Sequence, residues 1–382
     1  MRSLRPTLLA VALALLLFEL LVIVPSFTGI GRASDSSSSR PPQLLAHLKE
    51  EVAPFAQVFE MTSFGSKIWV SFEQGYMAGY SGIGGIYSID PTTRAVKMEF
   101  PYSAVNAWWL RYGNGGNFPG VAGLGGAWGH LADTSALYFG GYGIDDNHAY
   151  ILNVTTHTVS FLDAGTKEIW SMAKLGSTFY AASSFDLLSS SDMKTWSLVT
   201  GTHRNMAADE GPIWGMTTLG SDLYAVSNYL YRVGPAGAKI VYSPSPQNGE
   251  SLKAITTFEG KVWFTGFAND VNSRSTWLFE YDPNSGLVKR FTLPVNAVTD
   301  IIAFKGNLWM TGFTAPRTIT CGCTVDSGNL HGNVGILLRF DGSSTKVVSQ
   351  VKGSEGLLGI ATYGDDIYFG TETGDLYRER VT

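Results

Sequence analysis

The sequence predicts an all-β fold: a β-propeller of seven four-stranded blades, with eight as the alternative count, preceded by an N-terminal hydrophobic helix. Three observations support this prediction: the composition, a recurring aromatic motif, and a turn sequence that follows several copies of that motif. Among 382 residues there are 44 glycines, 17 tyrosines and 10 tryptophans, and only 15% of the residues are charged. Abundant glycine and aromatic residues with few charges suit many short strands joined by tight turns better than helices.

The recurring motif is clearest in "TFEGKVWFTGF", which begins at Thr257, and in "AFKGNLWMTGF", which begins at Ala303, 46 positions later. Each copy has an apolar run, a turn containing Gly or Asp, and a short apolar segment centred on Trp or Tyr. The copies are spaced about 50 residues apart on average, which is longer than leucine-rich or ankyrin repeats and typical of propeller blades. The aromatic anchors of the seven copies are Trp69, Tyr138, Tyr180, Tyr224, Trp263, Trp309 and Tyr368.

The anchor segments "KVWFTGF" and "NLWMTGF" are apolar on both faces, so both faces must be covered by other parts of the protein. A propeller blade meets this condition because it is sandwiched between two neighbouring blades. Further along the units, "YSIDPTTRAVKM", "FEYDPNSGLVKRF" and "LLRFDGSSTKVVS" place Asp-Pro or Asp-Gly before an alternating strand. This pattern is typical of an outer hairpin with one solvent-facing side. Small residues just after the anchors are expected where the sheets crowd toward the axis; they are Gly266, Gly312, Gly370 and Ala181.

Two segments depart from the repeat. After Tyr368 only 14 residues remain, enough for three of the four strands of a last blade. Since a missing strand would leave an open edge on the ring, we expect the segment Gln43–Gln57 to supply it. The glycine-rich segment Val105–Trp128 lengthens the interval between the first two anchors, either as an insertion or as a degenerate eighth blade.

The N-terminal residues differ from the rest of the chain. Leu8–Val24 is apolar apart from Glu19, and as a helix this run would span about 26 Å, enough for a thin bilayer. Arg2 and Arg5 precede the run, which places the N-terminus inside and the remainder of the chain outside. A cleaved signal peptide, with a small-x-small cleavage site before Ser34, is the alternative.

The predicted organisation is a signal anchor or signal peptide at 1–24, a Ser/Pro-rich linker at 25–45 and a propeller at 46–382. Either fate of the first segment leaves the propeller outside the cytoplasm, anchored in the membrane through residues 8–24 or secreted. Asn153 begins a glycosylation sequon, which agrees with export. The net charge of −5 and the pI near 5.7, together with the lack of a basic cluster, exclude nucleic acid as a partner.

The motifs together resemble those of the streptogramin (virginiamycin B) lyase-like propellers. The resemblance rests on the "LWMT" and "VWFT" strands, the "YDPNSG" hairpin and the Leu-Pro of "FTLPVNAV", and it covers roughly Ser251–Phe340, more weakly Thr62–Phe100. It implies a propeller and, for the family, a metal-dependent lyase with histidines and a glutamate near the channel. Gly266 and Gly312 stand where the family commonly has that glutamate, and no Glu-x-His occurs. We therefore carry over no catalytic residue and expect a protein that is not an enzyme.

Strand polarity predicts where a ligand would bind. In an up-and-down blade, the loop between strands two and three lies on the same face as the connection to the next blade. Four of these loops are long, and around the ring they are expected to form a crescent on one side of that face, where loop-borne function usually lies. These loops are Glu73–Gly84, Gly141–His148, Ala268–Ser275 and Thr314–Asn333.

The crescent contains the candidate ligand residues. Glu73, Tyr76 and Tyr80 could stack on and hydrogen-bond a sugar, although Tyr–Gly loops often pack only on themselves. Asp145, Asp146, Asn147 and His148 cluster oxygen and nitrogen ligands that could hold a divalent cation, although acidic surface turns are common. The remaining candidates on this face are Asp270, Arg274, Arg317 and His331.

Cys321 and Cys323, the only two cysteines, lie in the longest loop. Outside the cytoplasm a disulfide is the expected fate, and closing one over two residues requires local distortion. Free thiols, or a thiolate metal site with His331 and Asp326, are the alternatives.

The function that the sequence favours is an exported, membrane-tethered propeller that binds a partner protein or a cell-surface glycan, without catalysis and without a cofactor. The alternative is a metal-dependent lyase or hydrolase, with a divalent cation at the channel mouth held by acids such as Asp145, Asp146 or Asp270.

Overall fold

The computed structural model describes most of the propeller region. The described residues are 41–48, 56–74, 83–100, 124–143, 149–162, 166, 168–183, 186–199, 212–244, 250–268, 275–316, 332–353 and 356–381.

These residues form seven four-stranded antiparallel sheets, which confirms the propeller and seven as the number of blades. The first strands of blades 1 to 7 contact one another in cyclic order and surround the axis; they are β2 (Ala56–Phe64), β6 (Leu124–Ala132), β10 (Ile169–Leu175), β14 (Gly215–Leu219), β18 (Glu250–Phe258), β22 (Ala297–Phe304) and β26 (Leu357–Tyr363). The second strands are β3 (Lys67–Gln74), β7 (Leu137–Gly143), β11 (Thr178–Ser183), β15 (Asp222–Val226), β19 (Lys261–Ala268), β23 (Asn307–Pro316) and β27 (Asp366–Thr371).

The third strands are β4 (Ile83–Ile89), β8 (Ala149–Asn153), β12 (Asp186–Ser190), β16 (Leu230–Gly234), β20 (Thr276–Tyr281), β24 (Gly332–Phe340) and β28 (Asp375–Arg380). The outer strands of blades 1 to 6 are β5 (Val96–Phe100), β9 (Thr158–Phe161), β13 (Ser197–Leu198), β17 (Gly237–Tyr242), β21 (Val288–Leu293) and β25 (Thr345–Lys352), and that of blade 7 is β1 (Gln43–His47).

The ring closes through β1, as the incomplete last repeat predicts. This strand pairs antiparallel with β28, with Leu44 opposite Tyr377 and His47 opposite Asp375. The His47 imidazole Nδ1 lies 2.7 Å from Asp375 Oδ1. The outer strand of the last blade therefore comes from the start of the propeller, so no edge of blade 7 is left open. The strand includes Gln43, three residues before the predicted propeller boundary.

The repeated "F-x-G-x-x-W" sequence makes the same hairpin in blades 5 and 6. In blade 5, Glu259 and Gly260 have φ of 51° and 72° between Phe258 and Lys261, the two positive φ values of a type I′ turn. The indole of Trp263 donates to the Phe258 carbonyl across this turn at 3.2 Å. The aromatic anchor thus locks the first strand to the second, which explains why the chain repeats these residues.

Small residues after the anchor allow close approach, between the sheets of blades 7 and 1 at Gly370, as the sequence predicts, and between two strands of the blade 6 sheet at Gly312. A Cβ built on Gly370 would lie 2.2 Å from Cγ1 of Val58 in blade 1, and one on Gly312 would lie 2.1 Å from the Ala297 carbonyl oxygen. Neither glycine has a backbone conformation that itself requires glycine. Each is needed because its surroundings leave no room for a Cβ atom.

The predicted outer hairpins are also present, between strands three and four of their blades. Asp90, Asp282 and Asp341 each accept backbone hydrogen bonds from residues two or three positions later. These hydrogen bonds favour the ionised carboxylate and lower the pKa of each of the three aspartates.

Within the described residues, no helix is long and apolar enough to cross a membrane. The predicted helix at Leu8–Val24, the linker to residue 40 and most of Val105–Trp128 lie outside the described residues; the end of that last segment, from Leu124, belongs to β6.

Candidate functional site

The first strands of all seven blades line a central cavity of about 580 Å³. This volume lies within the range of about 300–1,000 Å³ that is usual for small-ligand sites. The side chains that give the cavity its chemistry come from an irregular point near the start of each first strand.

The residue ten positions before each aromatic anchor occupies that irregular point. In six blades the pairing of the first strand with the second shifts register there, which is a β-bulge, and bulges commonly re-aim a side chain next to a functional site. In blade 4 the equivalent residue, Trp214, directly precedes β14 and donates its backbone N–H to the Val226 carbonyl at 2.8 Å. From blade 1 to blade 7 the seven residues are Phe59, Trp128, Trp170, Trp214, Lys253, Thr299 and Leu358.

Four consecutive members of this ring are aromatic, and we call Phe59, Trp128, Trp170 and Trp214 the aromatic arc. The Trp128 and Trp170 rings are stacked with centroids 4.1 Å apart, and Trp170 meets Trp214 edge to face at 4.7 Å. Phe59 continues the arc at 6.1 Å from Trp128. The arc therefore forms a continuous aromatic wall over one side of the channel, and aromatic rings offer large, rigid contact surfaces to a ligand.

Lys253 follows the arc in blade 5, with its Nζ 4.6 Å from the centroid of the Trp214 ring. Burial, only partly opposed by the charges of Glu372 and Glu60, lowers the pKa of Lys253 to about 8. Lys253 makes no ion pair with a residue in the part of the chain that the structure describes. A cation thus lies in the channel wall beside an aromatic face, a favourable cation–π geometry.

In each blade, the residue directly after the ring position of Phe59, Trp128 and their equivalents faces the neighbouring blade. This position is small in five blades: a Cβ on Gly129 would lie 2.9 Å from Ser171 Cα, and one on Gly359 would lie 2.9 Å from Met61 Cγ. Blades 1 and 6 instead carry Glu60 and Asp300 here. Two carboxyl groups therefore enter a crowded layer of the channel wall where other blades have little or no side chain.

Glu60 pairs with His130 of blade 2, with Oε2 2.9 Å from the imidazole Nδ1. Burial disfavours protonation of His130, but the hydrogen bond to Glu60 and the charges of Glu60 and Asp300 outweigh it and raise the pKa of His130. The two residues are 70 positions apart in sequence, and their pair links blades 1 and 2.

Asp300 accepts backbone hydrogen bonds from Ile301 at 2.7 Å and from Ile360 of blade 7 at 3.2 Å. Burial, followed by repulsion from Glu60, raises the pKa of Asp300 to about 7, against the opposing effect of these hydrogen bonds and of His130. Shifted pKa values of this kind cluster at functional sites, so His130 and Asp300 mark the channel as the candidate site.

The channel-lining residues were not predicted from the sequence, although the sequence contains a pattern that indicates some of them. The tryptophans of "AWGH", "IWSM" and "IWGM" recur at the same intervals as the anchors of blades 2, 3 and 4. Aligning each unit on its anchor would have placed Trp128, Trp170, Trp214 and Lys253 at one level of the ring.

Most of the sequence-predicted ligand residues lie outside the described residues. Glu73 is described in backbone only, near the end of β3, opposite Gln57 and Gly84. Asn153 ends β8, and its Oδ1 accepts backbone hydrogen bonds from Thr155 and Thr156 at 3.0 Å each. The predicted ligand and disulfide residues that lie outside the described residues are Tyr76, Tyr80, Asp145, Asp146, Asn147, His148, Asp270, Arg274, Arg317, Cys321, Cys323 and His331.

Across the described ranges, no three His, Cys, Asp or Glu side chains are arranged to hold a metal ion.

The strand ends that flank the four crescent loops are described and lie on one face of the ring. They are the ends of second strands and the starts of third strands, for example β19 and β20 in blade 5. First strands also start on this face, and Trp170 is the second residue of β10. The aromatic arc therefore lies toward the face that carries the long loops.

No protein-family model matches the chain, and no curated protein matches it by sequence. Solved structures match at the level of fold. Virginiamycin B lyase from Staphylococcus aureus is 14% identical, with a TM-score of 0.60 over 85% of this chain and 95% of that chain. This confirms the resemblance to streptogramin lyase-like propellers as a resemblance of fold.

Two other propellers are comparably similar. The extracellular domain of a putative one-component system from B. thetaiotaomicron is 15% identical, with a TM-score of 0.57 over 88% of this chain and 39% of that chain. The WD40 propeller domain of Doa1 is 11% identical, with a TM-score of 0.56 over 88% of this chain and 96% of that chain. At these identities the shared property is the fold, which hosts unrelated functions.

Proposed function

We propose that this protein is an extracytoplasmic, membrane-tethered propeller that binds a cell-surface glycan, without catalysis, at the loop-bearing mouth of its central channel. The observation that carries the proposal is the aromatic arc. Three tryptophans and a phenylalanine at equivalent positions of consecutive blades make a wall that no single blade needs for its own hairpin.

A glycan fits this wall better than a folded protein partner does. The apolar face of a sugar ring packs against aromatic side chains, while polar groups at a few fixed positions bind its hydroxyls. Glu60 and His130 lie one and two residues beyond members of the arc. Asp300, which follows Thr299 at the same level of the ring, joins them in supplying such groups. A protein partner would instead engage the long loops and the rim of the face.

The extracytoplasmic location is supported by the apolar run Leu8–Val24 with Arg2 and Arg5 before it. The fold similarity to an extracellular domain of a one-component system is in keeping with a propeller that receives a ligand outside the cell. The location can be tested by asking whether protease added to intact cells removes a C-terminal tag.

A glycan array probed with the full-length protein tests the binding function. Wild-type protein should bind a restricted set of glycans, and Trp170→Ala should lose that binding by at least about tenfold because a central ring of the wall is removed. Phe161→Ala is the matched control, since Phe161 lies on the outer strand β9 and is 48% exposed. Thermal melting of both variants separates lost binding from lost folding.

Two results would contradict the proposal. Either the protein binds no glycan and instead retains a protein partner through its rim, or a folded Trp170→Ala variant binds as well as wild type.

A metal-dependent lyase or hydrolase is the second candidate, and the raised pKa of Asp300 beside Glu60 and His130 favours it. Incubation of the bound glycan with the protein, with and without EDTA, distinguishes the two functions. Cleavage that stops with EDTA, or with Asp300→Asn, would establish the enzyme; an unchanged glycan agrees with a binding protein.

A further inference from the structure

We propose that the channel site selects acidic sugars: the carboxylate of a uronic-acid unit binds the Lys253 ammonium while its ring lies against the aromatic arc. This inference rests on the proposed function, since it names the class of glycan that the same site takes.

Lys253 is the one cation at the level of the arc, in the position where three neighbouring blades have tryptophan. Long charged side chains are costly to place in a protein interior unless they are paired. Lys253 nevertheless has no ion-pair partner among the described residues: the Trp214 ring lies 4.6 Å from Nζ, and Glu372 and Glu60 act on it through their charges without pairing. A bound anion would supply the direct ion pair that these more distant carboxylates do not make.

The distances between Lys253 and the arc suit a ligand that carries a negative charge directly beside a sugar ring. Nζ of Lys253 lies over Trp214, and Trp214 meets Trp170 with centroids 4.7 Å apart. A carboxylate on the Lys253 ammonium is therefore held next to the continuing aromatic wall. In a uronic acid the carboxylate is attached directly to the sugar ring, so both contacts can be made by one unit.

The acidic residues of the channel do not prevent an anion from binding. Glu60 is paired with His130 at 2.9 Å, and the raised pKa of Asp300 leaves this group partly protonated near pH 7. Glu372 and Glu60 act on Lys253 only through their charges, without an ion pair, and they only partly offset its burial, so the ammonium stays open to a ligand carboxylate. The single lysine charge matches one carboxylate, whereas phosphate usually gathers arginines or several backbone N–H groups.

The test is calorimetric titration of the full-length protein at pH 6.5 with a panel of uronate-containing disaccharides. Each is paired with its carboxyl-reduced counterpart, which has the same ring and linkage without the charge. For at least one pair, wild type should bind the acidic form about ten- to a hundredfold more tightly, the range expected for one charge-assisted hydrogen bond.

Lys253→Gln should remove that preference by weakening only the acidic form, and Lys253→Arg should largely retain it. Lys239→Gln, an exposed lysine of β17, is the control and should behave as wild type. Loss of both ligands together in Lys253→Gln, with lower thermal stability, would mean a structural role for the lysine and would overturn the inference.

The failure of this inference differs from that of the proposed function. If every acidic sugar binds no better than its reduced counterpart while Trp170→Ala still abolishes glycan binding, selection by Lys253 is refuted and the glycan site stands. If no saccharide binds, both are refuted.

Discussion

Gly370→Ala tests how closely blades 7 and 1 pack where the ring closes. A Cβ on Gly370 would lie 2.2 Å from Cγ1 and 2.5 Å from Cβ of Val58, well inside the carbon–carbon contact distance of about 3.5–4.0 Å. Val58 is fully buried in the core of blade 1, so it has little room to move. Because the Gly370 backbone lies outside the left-handed region, the conflict is steric only.

Overpacking of this kind costs about 1–3 kcal/mol of the free energy of unfolding. Because the ring runs from Gln43 to Arg380 and the unfolding entropy is about 2.1 cal/mol/K per residue, each kcal/mol shifts Tm by about 1.4 °C. Gly370→Ala should therefore lower Tm by about 1–4 °C in differential scanning calorimetry. Gly234→Ala is the matched control, since the nearest atom to its added Cβ is Asp222 Oδ1 at 3.9 Å, and it should leave Tm nearly unchanged.

The double variant Val58→Ala/Gly370→Ala identifies the cause. Removing the valine methyl groups relieves the clash, so the double variant should lose about 0.5–3 kcal/mol less than the sum of the single variants. If Gly370→Ala melts like Gly234→Ala, or if the two single effects simply add, then Val58 and Gly370 do not pack as the structure places them.

Gly306→Ala should destabilise the protein by about 1 kcal/mol, because Gly306 has φ of 69° in the turn between β22 and β23; a variant with unchanged chemical denaturation would exclude the type I′ turn. Asp341→Ala should lower Tm at neutral pH but much less at acidic pH. The hydrogen bonds from Ser343 and Ser344 depress the pKa of Asp341, so this stabilisation is full above about pH 5 and is lost as the pH falls below about 4. Equal losses of Tm at pH 3 and pH 7 would refute that origin. Lys253→Met should raise Tm at pH 7 and lose this gain by about pH 11. Burial lowers the pKa of Lys253 to about 8 against the opposing charges of Glu372 and Glu60, so the charged form is penalised in the folded state until the unfolded chain also deprotonates. A gain in Tm that is the same at both pH values would contradict this account.

The fold could be predicted from sequence because an aromatic anchor after a tight turn recurs in the blades, most clearly in blades 5 and 6. The anchor indole of Trp263 bonds to the carbonyl that precedes the turn, and Gly260 supplies the positive φ that the turn requires. Both requirements act within a few residues, so they leave a visible pattern in the repeats that use them. The closing strand β1 followed from the same logic, since the last repeat lacks one strand.

The channel site was harder to predict because its contacts join distant repeats. Glu60 and His130 are 70 residues apart, and Asp300 accepts a hydrogen bond from Ile360, pairs that no local pattern indicates. The shifted pKa of Asp300 depends on burial and on Glu60, and neither is visible until the ring is closed. The tryptophans of the arc were visible in sequence, but each alone suggests a core residue of its own blade.

We propose that the arc and Lys253 together form the ligand site. The most direct measurement is a crystal structure of the full-length protein with the acidic disaccharide that binds most tightly in calorimetry. The account predicts the sugar ring against the rings of Trp170 and Trp214, with its carboxylate about 2.8 Å from Nζ of Lys253. A saccharide bound on the outer strands or only at the rim, with the channel unchanged, would contradict it.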